Sequence, residues 1–138
     1  MTRIDFHFNA PDRLEYASRL VRKIYRTGQK VVVFGDPKVV AELDRLLWTF
    51  SALDFIPHVL SSDPLAGRTP VILCSEAFET PHADVLVNLS RQTPPFFSRF
   101  ERLVEVVTPD DEDRAGARDR WRFYRDRGYP LHSHDLGA

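Results

Sequence analysis

Several features that define common protein classes are scarce in this sequence of 138 residues. The one cysteine, Cys74, excludes a disulfide within the chain and is typical of a protein in the reducing cytoplasm. The longest apolar runs are four or five residues, too short to cross a bilayer, and the first residues lack the apolar stretch of a secretory signal. The net charge of −1 excludes a protein that holds duplex DNA through bulk positive charge.

Glycine-rich phosphate-binding loops are also absent, which bears on nucleotide chemistry. The first predicted strand is followed by NAPDR, which has no glycine, and the second by FGDPK, which has one. Neither the dinucleotide fingerprint nor the P-loop fits these segments, because without glycines the backbone does not approach a pyrophosphate closely. No serine or cysteine stands in the strand–turn–helix setting of an activated nucleophile. The sequence therefore predicts a binding module without a cofactor, rather than an enzyme.

The cysteine and the two C-terminal histidines, which are often catalytic or metal-binding residues, are more simply explained without such a role. Cys74 lies inside an apolar strand and is predicted to be a buried, unreactive thiol. His132 and His134, near the C-terminus, could hold a metal ion weakly, but no third ligand is evidently paired with them. We therefore predict no metal site and assign the two histidines to an unstructured tail.

Strand and helix patterns alternate along the chain and predict an α/β fold. The predicted strands are residues 3–8, 30–35, 71–74, 83–89 and 104–107. Four helices are predicted. The first runs from residue 12 to Arg26, the second starts at Pro37, the third covers PPFFSRFERL (residues 94–103), and the fourth runs from Pro109 to near Gly128. This order predicts three layers around a mostly parallel central sheet, with residues 1–130 as a single domain and residues 131–138 as a tail without a core pattern.

Positive charge is concentrated in the last predicted helix. The chain has 16 arginines and 3 lysines, and six of the arginines lie within residues 114–127, directly after an acidic run at 110–113. Acidic residues first and basic residues last is the order that a helix dipole favours. One interpretation is therefore a well-polarised terminal helix whose charges are simply solvated.

The spacing of these arginines favours a binding surface. Arg114, Arg118, Arg122 and Arg125 recur every three or four residues and share one helix face, with Trp121 at its edge. Four guanidinium groups repel one another, so such a face suits an acidic partner that also brings an apolar or aromatic group. Two alternatives use the same face: a small α/β anion- or nucleotide-binding protein, and a protein that grips the phosphates of single-stranded DNA.

Three segments together form a pattern that covers nearly the whole chain. The first is RTGQKVVVFGD (residues 26–36), and the most specific is LDRLLWTFSALDFIPHVL (43–60), in which a helix ending in Leu-Trp is followed by Phe, an aliphatic residue, Pro and His. The third is ARDRWRFYRDRGYPL (117–131), and the short strand DVLVNL fits as well. In this order and at this length the chain resembles the chi subunit of bacterial DNA polymerase III holoenzyme.

The resemblance implies a Rossmann-like three-layer fold without a nucleotide-binding loop, and a role as a replisome adaptor. Chi proteins link the clamp loader to single-stranded-DNA-binding protein by binding its acidic C-terminal tail, which ends in phenylalanine. By position, the residues that would bind this tail are Arg114, Arg118, Trp121, Arg122 and Val107. The resemblance does not lead us to expect high-affinity binding to DNA itself, or any binding to membranes.

Chi proteins use a second surface for the psi subunit of the clamp loader. By position, the residues of that interface are Trp48, Phe55, Ile56, Pro57 and His58. Apolar residues in an irregular segment are often core, so Trp48 and Phe55 could instead cover the edge of the sheet. The resemblance favours an exposed aromatic patch, which is typical of a protein interface.

Overall fold

Seven parallel strands form the central sheet of the computed structural model, which describes residues 1–49 and 56–137. The strands are β1 (Arg3–Phe8), β2 (Val31–Phe34), β3 (His58–Leu60), β4 (Val71–Cys74), β5 (Val85–Asn88), β6 (Arg102–Val106) and β7 (Leu131–Asp135). They lie in the order β3-β4-β2-β5-β6-β1-β7, so β3 and β7 are the two edges. The predicted parallel sheet is confirmed, and every strand pairing in the described residues is parallel.

Three helices flank the sheet: α1 (Arg13–Arg26), α2 (Pro37–Thr49) and α3 (Asp111–Asp126). The carboxylate of Asp12 caps α1 by accepting a hydrogen bond from the Glu15 N–H at 3.1 Å, and Asp110 caps α3 in the same way. Gly28 and Gly128 end α1 and α3 at φ angles of 85° and 82°, which favour glycine.

The core has two halves, one on each face of the sheet. Val31 and Val33 of β2 pack with α1 and α2, whereas Val32 and Phe34 pack with α3. This two-sided burial explains why the inner strands lack the alternation of a half-exposed strand. It also confirms the predicted three layers.

No helix in residues 1–49 or 56–137 has the length and apolar character needed to cross a membrane.

Cys74, at the end of β4, is buried as the sequence predicted. Burial raises the pKa of its thiol to about 12, because the charged thiolate is poorly solvated there. The reactive form of this cysteine is therefore scarce at neutral pH.

The segment PPFFSRFERL does not form the predicted helix. Only Phe97–Arg99 adopt a single 3-10 turn, and no side chain caps its start. Phe96, Phe97 and Phe100 are buried and pack directly on the α3 face of the sheet. β5 and β6 are neighbours in the sheet, and the aromatic rings of the connection between them cover the sheet in place of a helix.

Two strands that the sequence patterns did not indicate form the sheet edges. β3 lies in the stretch that was expected to be irregular, and β7 lies in the expected tail. The prediction of an unstructured tail is wrong, because Leu131–Asp135 pair in register with β1. β7 has mostly exposed side chains, so main-chain pairing holds it without an apolar pattern. β3 has only three residues, of which one is buried and one half-buried, too few to form a recognisable pattern.

A buried carboxyl group joins α3 to the sheet. Glu105 of β6 is fully buried and accepts hydrogen bonds from Tyr124 Oη at 2.6 Å, Asn88 Nδ2 at 2.8 Å and Arg120 Nε at 3.1 Å. Arg120 also donates to the carbonyl oxygen of Arg91 at 2.8 Å. Burial raises the pKa of Glu105 against the opposing effects of Arg120, Tyr124 and Asn88. These bonds fix which face α3 turns to the sheet, and therefore which face it turns to solvent.

We expect Tyr124→Phe to lower the free energy of unfolding by about 1–3 kcal/mol, because it leaves a buried oxygen of Glu105 without its donor. Urea denaturation measures this change. The matched control is Tyr129→Phe, since Tyr129 is half-buried and its hydroxyl has no hydrogen-bond partner among the described residues. Equal unfolding free energies for the two variants would contradict the role assigned to the Glu105 network.

Candidate functional site

A pocket of about 330 Å³ lies between α3 and the edge of the sheet formed by β1 and β7. Its apolar wall consists of Phe6, Phe8, Val107, Ala117 and Trp121, and its rim of Arg114, Arg118, Arg122, Arg125 and Ser133. The structure thus brings together all five residues that the sequence predicted for tail binding. The pocket has a volume within the range of sites that bind small molecules or single side chains.

The four arginines of the rim differ in how they are paired. Arg122 lies 3.6 Å from Asp119 and Arg125 lies 3.2 Å from Asp126, and all four of these side chains are exposed. In the described ranges, no carboxylate lies within 4.0 Å of the guanidinium groups of Arg114 or Arg118. These two exposed groups are therefore available to bind an anion without breaking an ion pair.

The apolar wall is built on the aromatic stack between α3 and β1. Trp121 is half-buried, and its ring centroid lies 5.1 Å from that of Phe6 at an interplanar angle of 60°. Val107, directly after β6, is buried, and its main chain is held by hydrogen bonds with His7 and Ala10. The wall is thus fixed from both sides, and it leaves one side of the indole open to a ligand.

The acidic start of α3 is neutralised away from the pocket. Arg91 contacts three carboxylates there: Asp113 at 2.5 Å, Glu112 at 2.6 Å and Asp110 at 3.3 Å. Asp113 is buried and also accepts hydrogen bonds from Arg13 and Thr108. None of the described acidic side chains lines the pocket. The near-zero net charge of the chain therefore conceals a locally positive surface.

A second pocket has the opposite character. It has a volume of about 420 Å³ and lies beyond the carboxyl ends of β3 and β4, beside the start of α2. Asp44 and Glu76 line it together with serines and Cys74, and no lysine or arginine among the described residues does so. Carboxylates repel phosphate, which weighs against a nucleotide in this pocket.

The residues predicted for the psi interface have different environments. Trp48, at the end of α2, is 53% exposed, and its ring centroid lies 4.5 Å from that of His58. Ile56 and His58 are each only 3% exposed, and Pro57 is half-buried. His58 Nδ1 lies 2.7 Å from the Ile56 carbonyl oxygen and its Nε2 lies 3.2 Å from Asp44. Trp48 is thus an exposed side chain that contacts the buried ring of His58, whereas Ile56 belongs to the core.

Two further residues bear on this surface. Phe55 lies outside the described residues. Leu60 of β3 is 44% exposed and was not foreseen, because β3 itself was not foreseen. We name the exposed side chains of Trp48 and Leu60 at this edge of the sheet the Trp48 surface.

A cluster of possible metal ligands lies on the α1 face of the sheet, between β1 and β7. Ligand atoms of Asp5, His7 and His134 lie within 4.8 Å of one another, a grouping missed because the pairing of β7 with β1 was not predicted. Asp5 already accepts hydrogen bonds from Arg3 and Arg102, whose positive charge opposes a metal cation. Burial lowers the pKa of His7 to about 4, and the nearby His134 and Arg102 add to this effect.

Comparison with known proteins decides the family. Residues 1–132 match the family described as DNA polymerase III chi subunit, HolC. The chain belongs to this family. It is 38% identical over 141 residues to DNA polymerase III subunit chi of Pseudomonas aeruginosa, covering 99% of this chain and 98% of that protein. The proteins of the same name from Haemophilus influenzae and Escherichia coli are each 30% identical, over 89% and 88% of this chain and 87% of each relative.

Membership of the chi family confirms the resemblance and makes this chain an accessory subunit of the replicative polymerase.

The sequence analysis missed two residues that position the site, Glu105 and Asp113. Glu105 is the one acid within the apolar strand VEVV, which is the signal that could have revealed it. Asp113 was grouped with the solvated acidic run, and nothing in the sequence marks it as the buried member.

We expect Asp113→Asn to lower the free energy of unfolding by about 1–3 kcal/mol at pH 7, because it removes a carboxylate bound by Arg13 and Arg91. Although burial alone would raise the pKa of Asp113, the hydrogen bonds from Thr108, Arg91 and Arg13 lower it to about 2. A lowered pKa stabilises the fold above the ordinary pKa of Asp, and this contribution disappears as the pH falls towards 2.

Urea denaturation of the wild type and the variant across pH 2–7 measures this difference. It should be largest above about pH 4, where an unfolded Asp is ionised, and should shrink below that pH. Asp111→Asn is the matched control, because Asp111 is exposed and has no ion-pair partner among the described residues. A difference that stays constant down to pH 2 would refute the role given to the Asp113 carboxylate.

Proposed function

We propose that this chi-family protein is a non-catalytic, cytoplasmic adaptor that binds the acidic C-terminal tail of single-stranded-DNA-binding protein in the pocket beside α3. The observation that carries the proposal is the pairing, in one pocket, of an apolar wall with four arginines. A tail that ends in phenylalanine brings an aromatic ring, a terminal carboxylate and further acidic side chains. The ring would lie against Trp121 and Val107, and the carboxylates against Arg114 and Arg118.

The ion pairing of the rim supports this assignment energetically. Arg114 and Arg118 have no ion pair to give up within the described residues. Arg122 and Arg125 would exchange exposed pairs, which typically contribute less than about 1 kcal/mol each. Since the arginines are exposed and the wall is apolar, binding should depend both on salt and on the terminal ring.

We expect Arg118→Ala to weaken binding of an acidic peptide ending in phenylalanine about 5- to 30-fold, which corresponds to about 1–2 kcal/mol for a lost charge-assisted contact. Fluorescence anisotropy at 50 and 200 mM salt measures both the affinity and its salt dependence. Arg68→Ala is the matched control, because Arg68 is exposed and lies in a 3-10 turn remote from the pocket lining.

The same titrations separate the alternatives. Equal affinities for the wild type and Arg118→Ala, or an affinity that salt does not change, would overturn the proposal. Salt-sensitive binding of a single-stranded oligonucleotide by this protein alone, with no peptide binding, would favour direct DNA binding through the arginine face. A large rise in Tm with ATP or NAD would favour the nucleotide-binding alternative.

We further propose that the Trp48 surface binds the psi subunit of the clamp loader. Trp48 is the large aromatic side chain with the greatest exposure in the described residues, and its ring contacts the buried ring of His58. An exposed tryptophan on a fixed support is typical of an interface hot spot, because little side-chain freedom is lost on binding.

We expect Trp48→Ala to weaken co-purification of psi at least about tenfold, because interface tryptophans commonly contribute 2 kcal/mol or more. Thermal unfolding should change little, since more than half of the indole is already exposed. Arg118→Ala serves as the control with intact psi binding and weakened peptide binding. A Trp48→Ala variant that melts early and still binds psi would instead assign the indole to the core.

A further inference from the structure

The outer edge of β7 presents main-chain groups that no strand in the described residues occupies. β7 pairs with β1 alone. The carbonyl oxygen of Pro130 accepts from Ile4 N–H, and the N–H of Leu136 donates to Phe8, both at 2.9 Å. Since the main-chain groups of a parallel strand alternate between its two sides, the even-numbered residues of β7 face β1. The N–H and C=O groups of Leu131, Ser133 and Asp135 therefore face outward.

This free edge is continuous with the arginine-rimmed pocket. Ser133, whose main chain faces outward, also lines the pocket with its side chain. A peptide that is bound in the pocket and leaves it across Ser133 would therefore lie directly beside the unpaired main-chain groups of β7. Edge strands with unpaired groups are templates for a further strand, and β7 carries neither a bulge nor a proline within Leu131–Asp135 that would block one.

The side chains on the two sides of this edge are mostly hydrogen-bond donors, which favours an acidic occupant, and the one carboxylate of β7, Asp135, already accepts hydrogen bonds from Asn9 Nδ2 and the Gly137 N–H. An added strand would turn alternate side chains to the two faces of the sheet. On the α3 face they would meet Arg122 and Arg125 of the pocket rim. On the α1 face they would meet the exposed imidazoles of His132 and His134, whose N–H groups are donors.

We propose that β7 binds the acidic segment preceding the terminal phenylalanine as an eighth strand, through the main-chain groups of Leu131, Ser133 and Asp135. This rests on the proposed function, since the pocket would hold the terminal residue and so place the preceding residues at the edge. The pocket would then supply recognition of the terminus, and main-chain pairing would supply affinity for any extended acidic sequence.

Two peptides of different length test the edge. A short peptide, Asp-Asp-Phe with a free carboxylate, reaches the pocket alone, whereas a nine-residue acidic peptide with the same end also spans β7. We expect the long peptide to bind about tenfold more tightly. By NMR, it should slow amide exchange at Leu131, Ser133 and Asp135, and the short peptide should not. The amides of His132 and His134, which already bond to β1, should change little.

A scan of single N-methyl groups along the long peptide distinguishes main-chain pairing from charge attraction. Pairing predicts that affinity falls at every second position and not at the positions between, because alternate amides face β7. Ser133→Pro, compared with Ser133→Ala, should weaken the long peptide about fivefold more than the short one, since it removes an outward N–H. The peptide scan needs no variant protein, so it decides the question even if Ser133→Pro does not fold.

The outcomes separate this inference from the function on which it rests. If the short peptide binds and Arg118→Ala weakens its binding, but the scan is flat and the three amides are unchanged, the edge-strand inference is wrong and the pocket assignment stands. If neither peptide binds the wild-type protein, both are wrong. A period of two in the scan, together with the three slowed amides, supports the added strand.

Discussion

The buried carboxyl group of Glu105 is the contact on which the functional surface depends. It lies near the end of β6 and accepts hydrogen bonds from Arg120 and Tyr124 of α3, so the helix is bound to the sheet along one defined face. Apolar packing also resists rotation of the helix, but directional bonds to a buried acceptor restrict it to one orientation. The orientation of Trp121 and of the arginines beside it follows from that restriction.

Arginine has three different roles within the same helix and its surroundings. Arg120 is buried and structural, and Arg91 binds the acidic residues that precede the pocket. Arg114 and Arg118 are left exposed to solvent at the rim. The guanidinium group suits all three roles because it stays charged when buried and offers several donors in one plane. The positive surface of α3 therefore depends on the ion pairs that neutralise its acidic start as much as on the order of acidic and basic residues along the helix.

Sequence patterns identified the features that follow from the periodicity of a single element. The strand at Arg3–Phe8 and the helix face shared by Arg114 and Arg118 were both predicted for this reason. β7 was missed because its pairing with β1 depends on main-chain hydrogen bonds, which leave no pattern in side chains. The burial of Asp113 was missed because its partners Arg13 and Arg91 are distant in sequence. Tertiary ion pairs of that kind become visible only when the fold is known.

The strand order has a consequence for how the two surfaces can work together. The Trp48 surface adjoins β3, one edge of the sheet, and the arginine-rimmed pocket lies beside β7, the other edge. Six inter-strand steps of about 4.8 Å separate the two edges by roughly 29 Å. If both proposed partners bind, the sheet would act as a spacer between them, and neither would need to release the other. Such an arrangement would transmit position rather than a conformational signal, because it would hold the two partners at a constant separation.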